Sequence, residues 1–297
     1  MYPGPEDPEV VGRMRAAHHW ARSALDLDPT QLEDEAWGWR GRTLGRSISS
    51  ADGPGWLRLA SAPAGETDHI FWNGSCEASG AIPATVPRPR LRTVHDFRDQ
   101  GWEYRAELYD YVAVRPIASS PALTVERDLP PVWWTGLRIA LDDIATVPTD
   151  RYTTKQQYLD WAMPKFLGTS LDTRVPTWTT AHGDLHWANL CAPDLQILDW
   201  EGWGLAPTGY DVAILHSYSL LVLPTAARIR AEFAYLLDTP AGRFAELVAI
   251  TELLHSTTRG ANLPLAGLLH LRGEQLLRDA EKTPRTLYGA RGRVHHR

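Results

Sequence analysis

The chain has 297 residues, 22% of them charged and 43% hydrophobic, with a formal net charge of −6. That length holds one large domain or two modest ones, and the acidic balance argues against nucleic acid as a partner. Two cysteines, Cys76 and Cys191, are too few for a disulfide framework or a cysteine-rich zinc site. No run approaches the roughly 18 apolar residues of a membrane span, and the first residues lack the basic and apolar regions of a signal peptide. The expected setting is the reducing cytoplasm, with no membrane partner.

The first predicted element is a helix over Pro8 to Leu27, where Val11, Met14, Ala17, Ala21 and Leu25 fall near helical spacing. Strands follow. Trp37 to Ser50 and Gly55 to Ala60 flank Ser50-Ala51-Asp52-Gly53-Pro54-Gly55, a strong turn signal, and Glu103 to Val114 alternates as another strand. Proline-rich Pro83 to Pro89 reads as a connector. Residues of about 30 to 112 are expected to form a small antiparallel sheet with one short helix.

After Arg115-Pro116 the pattern turns helical. Trp133, Leu137, Ala140, Leu141 and Ile144 share one helical face, and Tyr158, Trp161 and Phe166 mark another. Helices are expected over Gly209 to Leu223, Thr225 to Leu237, Ala241 to Leu254 and Leu263 to Ala280, with Pro224 as a break. Thr286 to Arg297 reads as a frayed basic tail. The fold class is α+β, with a β-rich lobe over 1–115 and a larger helical lobe over 116–297.

The chemistry concentrates between Thr180 and Asp211. Asp184 and Asn189 lie five positions apart in a short loop, and Asp199 ends an apolar run, Leu195-Gln196-Ile197-Leu198, that reads as a buried strand. Such a layout gathers three oxygen-bearing side chains around one point. Mg²⁺ takes hard oxygen ligands, commonly one or two carboxylates with substrate phosphates and water. Asn189 and Asp199 can supply the protein's share, leaving Asp184 to orient a hydroxyl nucleophile. Two rival motifs fail. His182 and His186 have the spacing of a zinc-protease helix, but Gly183 stands beside His182 where that motif needs a glutamate. Gly183-Asp184-Leu185-His186 echoes a dimetal phosphoesterase signature whose further histidine- and asparagine-rich motifs are not apparent.

His182-Gly183-Asp184, Asn189, Asp199-Trp200-Glu201 and the later Asp211 together resemble the aminoglycoside-phosphotransferase and choline-kinase superfamily, which shares the protein-kinase fold. The resemblance implies a two-lobed kinase-like fold, with Asp184 as catalytic base and Asn189 and Asp199 as ligands of Mg²⁺. It implies supporting roles for His182, Glu201 and Asp211. It also implies ATP or GTP as phosphoryl donor. At the place of the family's phosphate-contacting strand lysine stands Arg58, in Trp56-Leu57-Arg58-Leu59-Ala60, and Glu77 is the nearest candidate for the paired helix glutamate. Lysine is absent from the first 150 residues. Gly38, Gly41 and Gly45, interleaved with Arg40, Arg42 and Arg46, suit a phosphate-covering loop. Tyr109 to Val112, with Tyr109 and Tyr111 as the candidate residues, falls where an adenine-binding hinge would run.

The acceptor is expected to be a hydroxyl of a small metabolite, an antibiotic or a natural-product peptide. From Gly202 to Arg297 there are eight acidic residues against eleven Lys and Arg, which does not favour a polycationic antibiotic. Replacement of the strand lysine leaves a second reading, a kinase-like binding protein without phosphoryl transfer. A third, a metal-dependent hydrolase, would release phosphate without nucleotide or acceptor.

Overall fold

The computed structural model describes residues 4–29, 35–67, 69–168 and 171–282; the expected tail from Thr286 lies outside them. Helix α1 (Pro8–Ala24) starts where Asp7 caps it, its carboxylate accepting from the Glu9 N–H at 2.9 Å, with Pro8 preset for the first turn. The sheet that follows comprises β1 (Asp28–Pro29), β2 (Ala36–Trp37), β3 (Thr43–Ser50), β4 (Gly53–Pro63), β5 (Leu91–Asp99) and β6 (Trp102–Asp110). All its pairings are antiparallel, in the order β1-β3-β4-β6-β5, with β2 also on β3. Helix α2 (His69–Ala81) links β4 to β5.

Strand period decides what faces where. Leu57 and Leu59 are fully buried, packing with Leu44, Ile48, Tyr104 and Ala106 under Met14, Ala17 and Ala21 of α1. Arg58, between them, must point to the other side of the sheet, toward the cleft below.

The helical lobe carries α3 (Pro131–Ala145), α4 (Gln156–Leu167), α5 (Tyr210–Tyr218), α6 (Leu223–Glu232), α7 (Ala234–Leu237), α8 (Pro240–Thr257) and α9 (Ala266–Lys282). Two small ribbons complete it, β7 (Arg115–Pro116) with β9 (Cys191–Ala192), and β8 (Trp178–Ala181) with β10 (Gly204–Pro207). Its core includes Leu137, Ile144, Leu185, Trp187 and Ile214, and draws in Ala78, Ile82 and Val86 from the end of α2 and the connector. Trp187 is structural. Its ring stacks 6.4 Å from Trp133 and its Nε1–H donates to the Ser219 hydroxyl at 2.8 Å.

Three sequence expectations are corrected. Pro224 does not make the break; it sits in the first turn of α6, where no intrahelical N–H is needed, the chain breaking before it between Tyr218 and Leu223 and again at Phe233. Leu195 to Leu198 is not a strand. It makes one isolated bridge, Leu190 with Ile197, and its backbone donors go to loop carbonyls of Pro87 and Asn189. The strand expected to reach Val114 stops at Asp110, because β5 and β4 both end beside it.

Candidate active site

The loop from β8 to Asn189 is fixed from below by Asp211, at the start of α5. Its carboxylate accepts the backbone N–H groups of His182 at 2.7 Å and Gly183 at 3.0 Å. Burial pushes the Asp211 carboxyl up to about 6, against the pull of those two donors. Gly183 has φ +89, and a Cβ there would lie 2.6 Å from the Gly202 carbonyl oxygen, so the tight turn needs glycine. His182 is fully buried and donates from Nε2 to the Leu198 carbonyl at 2.8 Å, tying the Asp184 loop to the Asp199 loop. Burial lowers its pKa to about 4, so the ring stays neutral.

Asp184 emerges from this scaffold half-exposed, with Oδ2 3.4 Å from His186 Nε2. Burial favours its neutral form, but His186, His182 and Asn189 outweigh that and hold the carboxyl below its usual value. It is a carboxylate at neutral pH. Asn189 is buried, and its amide nitrogen donates to the Asp184 carbonyl at 3.0 Å. That leaves its carbonyl oxygen as the end suited to a hard cation. Asp199 stands at φ 63, ψ 72, a left-handed conformation that turns the chain into the short 3₁₀ turn Trp200–Gly202. Burial and then Glu201 push the Asp199 carboxyl up to about 7, with Arg58 opposing them. A site crowded with carboxylates and short of cations is the environment a divalent ion relieves.

Arg58, Glu107, Asp184, Asp199 and Glu201 line one cavity between the lobes, roofed by Gly38, Trp39, Arg42 and Thr43 and flanked by Phe71 and Trp72. Arg58 donates from Nη1 to Glu107 Oε2 at 2.9 Å and from Nη2 to Glu201, with Asp199 Oδ1 at 3.8 Å. Burial works against its charge, but Glu201, Glu107 and Asp199 hold the proton on.

Two expected partners are elsewhere. Glu77 does not pair with Arg58. It meets Arg151 Nη1 at 2.5 Å, while the strand arginine takes Glu107, which stands directly opposite it on β6. Cross-strand neighbours lie about 5 Å apart, so Glu107 reaches Arg58 without any help from the helix. Tyr109 is not at a hinge. It sits inside the sheet between Trp56 and Leu91, and its hydroxyl donates to Glu107 Oε2 at 2.9 Å. The extended segment between the lobes begins at Tyr111.

Glu107 and Arg151 carry much of the site and were not singled out from sequence. An acid set directly between apolar Ala106 and Leu108 was the available signal for Glu107. Arg151 gave none: its guanidinium bonds the Trp203 and Glu201 carbonyls at 2.9 and 3.0 Å, contacts that exist only after folding. A third unread residue is Glu252 of α8, which accepts from the Tyr210 hydroxyl and is pushed by burial up to about 7, with Asp184 adding to the rise.

No family model and no curated protein matches the chain. Solved structures do. The aminoglycoside phosphotransferase APH(4)-Ia aligns over 89% of this chain and 98% of its own, at 14% identity and a TM-score of 0.59. A thermostable mutant of it, in a ternary complex with ADP and hygromycin B, aligns over 90% and 99% with the same identity and TM-score. A microcompartment-associated aminopropanol kinase aligns over 89% and 96%, at 13% identity and a TM-score of 0.52. The chain shares the two-lobed, kinase-like fold of these solved phosphotransferase and kinase structures.

Proposed function

We propose that the protein is a cytoplasmic, Mg²⁺-dependent phosphotransferase that moves the γ-phosphoryl group of ATP or GTP to a hydroxyl of a small molecule or natural-product peptide. The observation that carries this reading is the convergence of an ionised Asp184 with Asp199, Glu201 and Arg58 in one interlobe cavity. Asn189 and Asp199 would hold the metal, which supplies electrophilic stabilisation of the phosphates. Asp184 orients the acceptor hydroxyl and takes its proton, while Asp211 and His182 keep that carboxylate in place. Phosphoryl transfer asks the protein mainly for positioning and charge, and these residues offer both. The nucleotide-bound relative of the same fold supports a nucleotide in the cavity.

The test is transfer of label from γ-labelled ATP or GTP across a panel of hydroxyl acceptors. Asp184→Asn should lower turnover by about 10²- to 10⁴-fold, the usual range for a general base, with an unchanged melting temperature. Unaltered turnover in the variant sinks the assignment.

One observation favours the second reading, a binding protein without transfer: Arg58 is already engaged by three carboxylates. Metal-dependent nucleotide binding with no transfer to any acceptor, and no hydrolysis, would select it.

A further inference from the structure

We propose that Arg42, on the loop between β2 and β3, is the guanidinium that engages the terminal phosphate of the bound nucleoside triphosphate. The inference rests on the nucleotide reading above and assigns a residue to its phosphate end.

Arg58 cannot easily serve that end. Both of its terminal nitrogens are engaged, one by Glu107 and the other by Glu201, and its charge also faces Asp199. A phosphate taking Arg58 would have to strand a carboxylate in a half-buried site, which is costly. The lining of the cavity contains four acids, Glu107, Asp184, Asp199 and Glu201, against two arginines, Arg42 and Arg58. A triphosphate adds several negative charges to that deficit. One divalent cation does not cancel it, and Arg42 is the remaining positive group on the wall.

Its local geometry suits the task. The Arg42 backbone is pinned: its N–H donates to the Trp39 carbonyl at 3.2 Å, and its own carbonyl accepts from Ser61 N–H at 2.9 Å. The side chain is exposed and makes no hydrogen bond or ion pair among the described residues. Neighbouring Arg40 is different, because its guanidinium is stacked 4.4 Å over the Trp39 ring and it does not line the cavity. The loop therefore presents one guanidinium without a partner among the described residues, from a fixed base on the wall of the cavity that Asp184 and Asp199 also line. A planar fork of donors suits a phosphate bidentately.

The experiment is calorimetric titration, with Mg²⁺, of AMP-PNP and ADP, and of GMP-PNP and GDP, into wild type, Arg42→Ala and Arg42→Lys. A charge-assisted contact to the terminal phosphate predicts that Arg42→Ala weakens the triphosphate analogue by about tenfold or more. Diphosphate binding should change less than about twofold by the same reasoning, and Arg42→Lys should keep part of the affinity. Because the side chain is exposed and makes no hydrogen bond or ion pair among the described residues, both variants should melt with wild type. Equal weakening of tri- and diphosphate, or none, overturns the role of Arg42 and leaves the nucleotide reading standing. A wild type that binds no nucleotide removes both.

Discussion

Arg58 stands where the sequence resemblance leads one to expect a lysine. An arginine at the strand position reaches two carboxylates at once, which a lysine ammonium does not do in a planar fork. The helix glutamate is then free to do something else, and Glu77 ties α2 to Arg151. The fully buried side of this pairing is Glu107. Glu107→Gln should lower unfolding free energy by about 2 kcal/mol, since it weakens a charge-assisted bond in a poorly solvated place; urea denaturation measures it, and an unchanged midpoint would mean that Glu201 alone satisfies Arg58. Asp184, Asn189 and Asp199 could be grouped in sequence because a short loop and the chain just after it carry them, whereas Asp211 was picked out by the family resemblance alone. Glu107 was not, because its partnership comes from strand register, which no local pattern displays. Glu77 was misread for the same reason in reverse: nearness along the chain suggested a pair that the fold does not make.

Among the elements, α2 is placed by contact so close that one residue decides it. A Cβ on Gly74 would fall 2.0 Å from the Glu201 carbonyl oxygen, and the Trp203 indole N–H donates to the Gly74 carbonyl at 2.9 Å. Gly74→Ala must push α2 off the turn that follows Asp199. The expected cost is about 2 kcal/mol or more, typical of overpacking, and, on the proposed function, weaker Mg²⁺-nucleotide binding. Gly80→Ala, on the same helix with open space around it, should instead be neutral or add about 0.5–1 kcal/mol. Comparison of the two denaturation curves separates helix propensity from the contact; equal behaviour would refute the packing argument. The helices over Pro8 to Leu27 and Ala241 to Leu254 were readable from 3.6-residue periodicity to within a few residues of α1 and α8. The position of α2 was not, because Gly74, Ser75 and Gly80 dilute its pattern and tertiary contact decides it.

Across the whole molecule, burial of neutral histidines couples stability to pH. His18 of α1 donates from Nε2 to the Leu57 carbonyl at 3.1 Å, and burial lowers its pKa to about 4. Between that value and the ordinary 6.5 the unfolded chain binds a proton that the folded chain refuses. Stability therefore falls as pH drops through this window, by up to about 1.4 kcal/mol per unit for the one group. Asp211 and Glu252, raised to about 6 and about 7, act in the opposite sense, since their folded forms retain protons the unfolded chain releases. The difference between wild type and His18→Gln isolates the histidine. Going from pH 7 to pH 5, the variant should lose about 2 kcal/mol less than wild type, and parallel losses would show that α1 does not exclude the proton. The division into a sheet lobe and a helical lobe was visible as a change in pattern after Arg115-Pro116. That Ala78, Ile82 and Val86 belong to the helical core was not, since a connector's apolar residues do not reveal which side they join.

Among the described residues the ionic links across the cleft run in both polarities. In one, Arg58 above meets Glu201 below; in the other, Glu77 above meets Arg151 below. Parting the lobes therefore leaves both signs on each lip of the opening, with the two carboxylates Asp199 and Glu201 together on the lower one. Added salt should loosen both links alike, so that the cleft opens more readily.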